Sequence, residues 1–237
     1  MIRAACFLML LPVTADAACR QALALGLDVS GSVDAAEYRL QLEGLATALN
    51  SDRVQQVLFA QPDAPIRISV YEWSGPENQT IILPWTTIVT TDDLDRATDT
   101  LLAHQRGTAA PTTAIGSAML AGFALLRDQT DCWKRTLDLS GDGPANTGPR
   151  PQDIGPAQQP PGVIVNGLVI GSGNQSGDDQ RIADIKELSA YYRSYVIRGA
   201  DAFVESALGF EDYAAAMERK LLKELQSLAL GQADITR

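Results

Sequence analysis

The chain has 237 residues, 46% hydrophobic and 20% charged, which bounds it as a globular protein of one large domain or at most two small ones. Its formal net charge of −10 argues against nucleic acid and anionic membrane surfaces as partners, because neutralising phosphates takes clustered Lys and Arg.

In chain order, Arg3, the apolar stretch Ala4 to Val13 and the small-x-small pattern Ala15-Asp16-Ala17 read as an export signal cleaved after Ala17. The apolar run breaks at Pro12, short of the roughly 20 residues a membrane anchor needs. A lipoprotein signal would use Cys19, but Asp16-Ala17-Ala18 lacks the aliphatic residue such signals carry. No later segment is long and apolar enough to span a bilayer. The expected mature protein is therefore a single soluble domain, residues 18–237, in the periplasm or outside the cell. Cleavage removes Arg3 and Asp16 together, so the net charge is unchanged.

Cleavage also removes Cys6 and leaves Cys19 and Cys132, and two cysteines in an oxidising compartment predict one disulfide. Cys19 precedes Asp28 by nine residues and Cys132 precedes Asp142 by ten. If both aspartates end neighbouring parallel strands, both cysteines start them, and strands about 4.8 Å apart satisfy bridging geometry. Two separate buried thiols are the alternative.

Apolar runs with turn signals alternate with helical patterns almost from end to end. The predicted fold is α/β: a doubly wound, mostly parallel six-stranded sheet of Rossmann type, with helices on both faces and one antiparallel edge strand. The first strand is Ala22 to Val29. A helix follows from about Asp34 to Asn50, with Tyr38, Leu42, Leu45 and Leu49 at helical spacing. Ile66 to Trp73 and Gln79 to Trp85 form a hairpin around Ser74-Gly75-Pro76-Glu77-Asn78. Thr91 or Asp92 caps a helix to about His104, and Thr112 or Thr113 begins another through Ile115, Met119, Phe123 and Leu126. Arg135 to Ser140 is the fourth strand. The Gly-, Pro- and Gln-rich loop from Asp142 to Pro161 is a functional or variable segment. Then come a strand, Val163 to Ile170, a helix from Asp178 to about Tyr191, a short strand Tyr195 to Arg198, and a closing helix from about Phe210 to Leu230.

The chemistry concentrates at strand ends. Asp28, Ser30 and Ser32 follow the first apolar run, and a strand end followed by a tight turn aims several oxygens at one point. Carboxylate and hydroxyl oxygens are what hard cations prefer, Mg²⁺ asking for a nearly octahedral shell. Asp142 follows the fourth strand and precedes Gly143, at the sheet edge where ligands of α/β proteins bind. Thr113 stands at the mouth of a helix, after Gly107-Thr108-Ala109-Ala110-Pro111. The set offers two carboxylates and three hydroxyls.

Asp28-Val29-Ser30-Gly31-Ser32, then Thr113 in Thr112-Thr113-Ala114-Ile115-Gly116, then Asp142-Gly143, resembles the von Willebrand factor type A (VWA) domain and its metal-ion-dependent adhesion site. Glu72-Trp73-Ser74-Gly75, Asp138 to Gly143, Tyr191-Tyr192 and Ala202-Phe203-Val204 look like stretches of secreted, functionally uncharacterised VWA-like bacterial proteins. The resemblance implies that Ser30, Ser32 and Thr113 touch the metal and that Asp28 and Asp142 act through bound waters. It implies Mg²⁺, with Ca²⁺ or Mn²⁺ as alternatives, and a position left for an acidic residue of a protein partner. Pro111 and Thr112 depart from the glycines usual before the metal threonine, so Thr112 competes with Thr113. A monomeric, non-enzymatic binding module is the leading expectation. Its alternatives are a metal-assisted hydrolase activating water near Glu72 or Asp142 and a metal-free scaffold in which Asp28, Ser30 and Ser32 order the turn.

Other signals read as structural. Gly171 to Gly177 fits an ordinary strand-to-helix turn better than a dinucleotide loop. His104, the single histidine, reads as an exposed cap and leaves no Ser-His-Asp triad or His-rich zinc site. Glu72 and Asp138 fall in strands expected to be buried and so need partners. Lys220, Lys223 and Glu224 read as a solvated helix face.

Overall fold

Ten consecutive buried residues, Cys19–Asp28, form β1, and a strand buried on both faces belongs in the middle of a covered sheet. The computed structural model describes residues 19–171 and 178–231. The expected cleavage point after Ala17 and the turn at 172–177 lie outside them. β1 pairs in parallel with β2 (Ile66–Trp73) on one side and β4 (Cys132–Gly141) on the other. β3 (Gln79–Ile88) joins β2 antiparallel, while β5 (Val163–Ile170) and β6 (Val204–Ala207) extend the other side in parallel. The order β3-β2-β1-β4-β5-β6 gives the expected six-stranded sheet with one antiparallel edge.

Alternate residues of β1 serve opposite faces. Leu23, Leu25 and Leu27 pack with Leu42 and Leu45 of α1 (Ala35–Leu49), Leu94 of α3 (Thr91–Ala103) and Leu221 of α6 (Tyr213–Gly231). Ala22 and Ala24 face Met119 and Phe123 of α4 (Ile115–Arg127), in a cluster that includes Leu188 of α5 (Asp178–Tyr191). A short helix not anticipated from sequence, α2 (Asp52–Leu58), is capped by Ser51 and buries only Val54 and Leu58, too little periodicity to read.

Local chemistry sets the helix starts. Asp34 caps α1 in a capping box with Glu37, and α3 is capped by Thr90 with Asp93, not by Thr91 or Asp92. α4 begins at Ile115 behind Ala114 with no side-chain cap, so neither Thr112 nor Thr113 starts it. The expected strand Tyr195 to Arg198 is absent. Tyr192–Val196 is a π turn, and only Arg198 makes an isolated bridge, to Val165, while the sixth strand is β6.

The cysteine expectation holds: Cys19 and Cys132 are register partners and are bonded, with Cα atoms 4.3 Å apart. Free-thiol labelling of residues 18–237, unfolded and unreduced, should therefore find none, and two labels per chain would contradict the bridge.

Charged residues depart from expectation. Lys220 and Glu224 are 0% and 1% exposed, not solvated, and Lys220 Nζ lies 2.6 Å from both Asp138 Oδ2 and Glu224 Oε1. Asp138 thereby gains the partner its burial demanded. Only Lys223 is exposed, over the Phe203 ring at 3.8 Å. Glu72 accepts a hydrogen bond from the Tyr38 hydroxyl at 2.5 Å. His104 does follow α3 as its cap, but its side chain is only 28% exposed and its Nε2 lies 3.5 Å from Glu72 Oε1.

Candidate metal centre

β1 and β4 are parallel neighbours, so their carboxyl ends open on the same edge of the sheet. β1 ends at Asp28, and Asp142 follows the last residue of β4. The chain after β1 turns at once: Asp28 Oδ1 accepts from Ser30 N at 2.8 Å, and Val33 N donates to Ser30 O at 3.1 Å. This brings the hydroxyls of Ser30 and Ser32 within 3.2 Å of each other.

The other two segments arrive on either side. Ser32 Oγ donates to Asp142 Oδ1 at 2.8 Å, and Thr113 Oγ1 donates to Ser30 Oγ at 3.4 Å. Thr113, Ser30, Ser32 and Asp142 thus form a continuous row of oxygens, with Asp28 beneath. Thr113 is 6% exposed and its hydroxyl points into the row, which is why it does not cap α4. No contact of Thr112 to this row is seen among the described residues. Ser30 and Asp28 are fully buried, Asp142 is half-buried and Ser32 is exposed, so the row opens to solvent on the Ser32 side.

Residues the sequence did not single out hold this arrangement. Thr113 N donates to Asn146 Oδ1 at 2.9 Å, and Asn146 N returns a bond to Thr113 O at 2.9 Å, tying the threonine segment to the loop after β4. Ala114 N donates to Ser74 O at 2.7 Å and Ala110 N to Ser74 Oγ at 3.0 Å, tying it to the hairpin turn. Arg106 donates to the carbonyls of Val29 and Ser30 at 2.8 and 3.2 Å, and Gln41 to that of Asp28 at 3.0 Å. Gly31 is required where it stands, since a Cβ there would lie 2.9 Å from the Pro111 backbone. No motif marks Asn146, Arg106 or Gln41, and Ser74 stands in the Glu72-Trp73-Ser74-Gly75 stretch with no role attached to it by the sequence. Their roles depend on loops that meet only in the fold.

A further residue reaches the site from below. The Tyr192 ring lies across β4 and β5 in a slot left by two glycines: a Cβ on Gly167 would meet the ring at 2.5 Å, and one on Gly141 would meet its hydroxyl at 2.5 Å and Asp28 Oδ2 at 3.1 Å. The Tyr192 hydroxyl and Asp28 Oδ2 are both buried and without a hydrogen-bond partner among the described residues. Gly141→Ala is expected to force these two groups apart at a cost of about 1–3 kcal/mol. Denaturant unfolding checks this, and a midpoint equal to wild type would show that the slot has slack.

Electrostatics fit a cation. Burial, and next the charge of Asp142, push the Asp28 carboxyl up to about 7, and burial also raises Asp142. Two carboxylates held close without a countercharge resist ionising, and a divalent ion would relieve both. Among the described residues no three His, Cys, Asp or Glu side chains form a metal-binding group, so the donor set rests on these two carboxylates and the hydroxyls beside them. A hard cation suits that set, and Asp28 Oδ2 beneath the row is buried without a hydrogen-bond partner among the described residues.

No curated protein matches this chain. Solved structures share its fold at low identity. Proximal thread matrix protein 1 from the mussel byssus, in a form with a zinc-occupied MIDAS motif, is 19% identical with a TM-score of 0.56, over 89% of this chain and 47% of that one. The chain thus spans about half the length of the mussel protein. The von Willebrand factor type A structure from Catenulispora acidiphila is 12% identical, TM-score 0.51, over 87% of this chain and 43% of that one. An aerotolerance-related membrane protein from Bacteroides fragilis NCTC 9343, carrying multiple mutations to serines, is 14% identical, TM-score 0.53, over 85% and 98%. The fold is therefore VWA-like. The family model described as "Protein of unknown function (DUF1194)" matches residues 18–229. That match runs over nearly the whole chain, and the protein belongs to the DUF1194 family.

Proposed function

We propose that this protein is an exported VWA-like module that holds a divalent cation at Asp28, Ser30, Ser32, Thr113 and Asp142 and captures a protein partner through it. The observation that carries the reading is the unbroken row of oxygens from Thr113 through Ser30 and Ser32 to Asp142, at one sheet edge and above a buried carboxylate. Mg²⁺ is the first candidate, with Ca²⁺ or Mn²⁺ next, because the donors are all oxygen. Two carboxylates leave a bound cation near neutral overall, so it can still attract an acidic side chain of the partner. A binding module is favoured over a metal-assisted hydrolase. Glu72, one of the groups near which a hydrolase would activate water, is engaged by Tyr38 of α1. None of the described helices is long and apolar enough to cross a membrane.

Calorimetric titration of Mg²⁺, Ca²⁺, Mn²⁺ and Zn²⁺ into the mature protein and a Ser30→Ala/Ser32→Ala variant tests the site. Binding heat in the wild type and its loss in the variant are expected, since removing two ligands leaves the shell too poor to hold a hydrated ion. Equal heats in the two proteins would sink the assignment. Cation-dependent capture of a partner without turnover then separates a module from a hydrolase.

A further inference from the structure

Lys220 is fully buried, next to a pocket that reaches Asn166 and Glu224. Its side chain is 0% exposed, and Asp138, Asn166 and Glu224 around it are each 1% exposed. Lys220 Nζ is 2.6 Å from Asp138 Oδ2 on β4 and 2.6 Å from Glu224 Oε1 one helical turn along α6. Asn166 of β5 donates to that same Glu224 oxygen at 2.7 Å, and Phe203 N donates to Asn166 Oδ1 at 3.1 Å, so the Glu224 carboxylate is held from the sheet side. The ring of Phe203 stands 5.3 Å from Nζ.

An ordinary buried ion pair needs one carboxylate, and this ammonium has two. Lys134 adds a second cation beside Glu224, its Nζ donating to the Glu224 carbonyl at 3.0 Å, so Asp138 is the carboxyl in this buried site for which a proton is the accessible alternative to charge. A protonated carboxyl is an electrophile, and here it touches an amine.

We propose that Lys220 and Asp138 condense into an isopeptide bond between Nζ and Cγ, with Glu224 as the proton carrier. The reacting form has Asp138 as the acid, Lys220 as ammonium and Glu224 as carboxylate. Glu224 takes one proton from Nζ, and the freed lone pair attacks Asp138 Cγ to form the C–N bond. The C–O bond to the Asp138 hydroxyl then breaks, and the hydroxyl leaves with a second Nζ proton as water. The products are a secondary amide, one water and protonated Glu224. Net charge is zero before and after, and no oxidant or cofactor is needed.

Several features favour the step. Burial is the main cause pushing Asp138 up to about 7, against the pull of Lys220, so the acid form is populated near neutral pH. Burial alone would lower Lys220, but its two carboxylates outweigh that and raise it, so the amine must be freed by transfer to Glu224. A fixed pair of this kind has an effective concentration of about 10⁵–10⁸ M. A neighbouring pocket of about 330 Å³, lined by Phe203, Lys223, Asn166 and Glu224, offers the released water a way out. Exclusion of bulk water then protects the amide from hydrolysis.

Intact mass of the whole protein, reduced and denatured, tests the bond. The wild type should be one water lighter than its polypeptide, and a digest should contain a branched peptide joining the segments around 138 and 220. Lys220→Arg and Glu224→Gln should each restore the full mass. A wild type with no deficit, or a deficit that persists in Lys220→Arg, overturns the proposal. Should either variant fail to fold, the wild-type digest decides: a branched peptide supports the bond, and separate linear peptides refute it.

Discussion

Replacing Cys19 and Cys132 together by serine is expected to destabilise the protein by about 4–5 kcal/mol, the chain-entropy value for closing a loop of roughly 100 residues or more. The bridged residues are 113 apart in sequence. Without the bridge the unfolded chain regains that freedom, while the folded strands keep their hydrogen bonds. At this size the melting temperature should fall by roughly 10 °C or more. Thermal unfolding of the variant, and of wild type with reductant, measures the effect; coincident curves would show that the bridge adds nothing. The cross-link joins the first residues of β1 and β4, so it fixes the register of the two strands whose far ends carry Asp28 and Asp142. A one-residue slip would turn either aspartate to the wrong face.

Lys220→Met is the second large effect, expected to cost about 3–5 kcal/mol, because removing one member of a buried charged set strands the rest without compensation. Asp138, 1% exposed, would lose the ammonium that lies 2.6 Å from its Oδ2. Adding Asp138→Asn and Glu224→Gln to that variant removes the stranded charges and should recover the electrostatic part of the loss, while the part due to the missing Lys220–Asp138 cross-link should remain. Denaturant unfolding of the single and triple variants separates the cases. A single variant as stable as wild type would mean that the acids are satisfied without Lys220.

Much of the architecture is legible in the sequence because it is dictated locally. β2 and β5 coincide with their predicted bounds, Ile66–Trp73 and Val163–Ile170, since each is an apolar run closed by residues that stop a strand. Asp28, Ser30, Ser32, Thr113 and Asp142 are legible as one oxygen-bearing set because of their types and their places at strand ends and a helix start. What failed depended on partners distant in the chain. Tyr195 to Arg198 carries a strand's composition, but the slot that receives the Tyr192 ring winds the segment into a π turn instead. Thr113 has the composition of a helix cap, yet its hydroxyl is used by Ser30. Lys220 and Glu224 sit at the i, i+4 spacing of a solvated face, and only Asp138 across the sheet reveals that they point inward. Asn146 and Ser74 are ordinary loop residues until the loops meet.

The seat of Tyr192 bears on how such a chain can diverge. Neither Gly141 nor Gly167 can gain even a methyl group while the ring occupies the slot, and a smaller residue at 192 would leave a void against both strands and beside the Asp28 carboxylate. Single changes at any of the three positions are therefore disfavoured. Where descendants of a common ancestor differ there, the three positions should be found altered as a set: a bulkier pair on the strands together with a smaller residue on the turn.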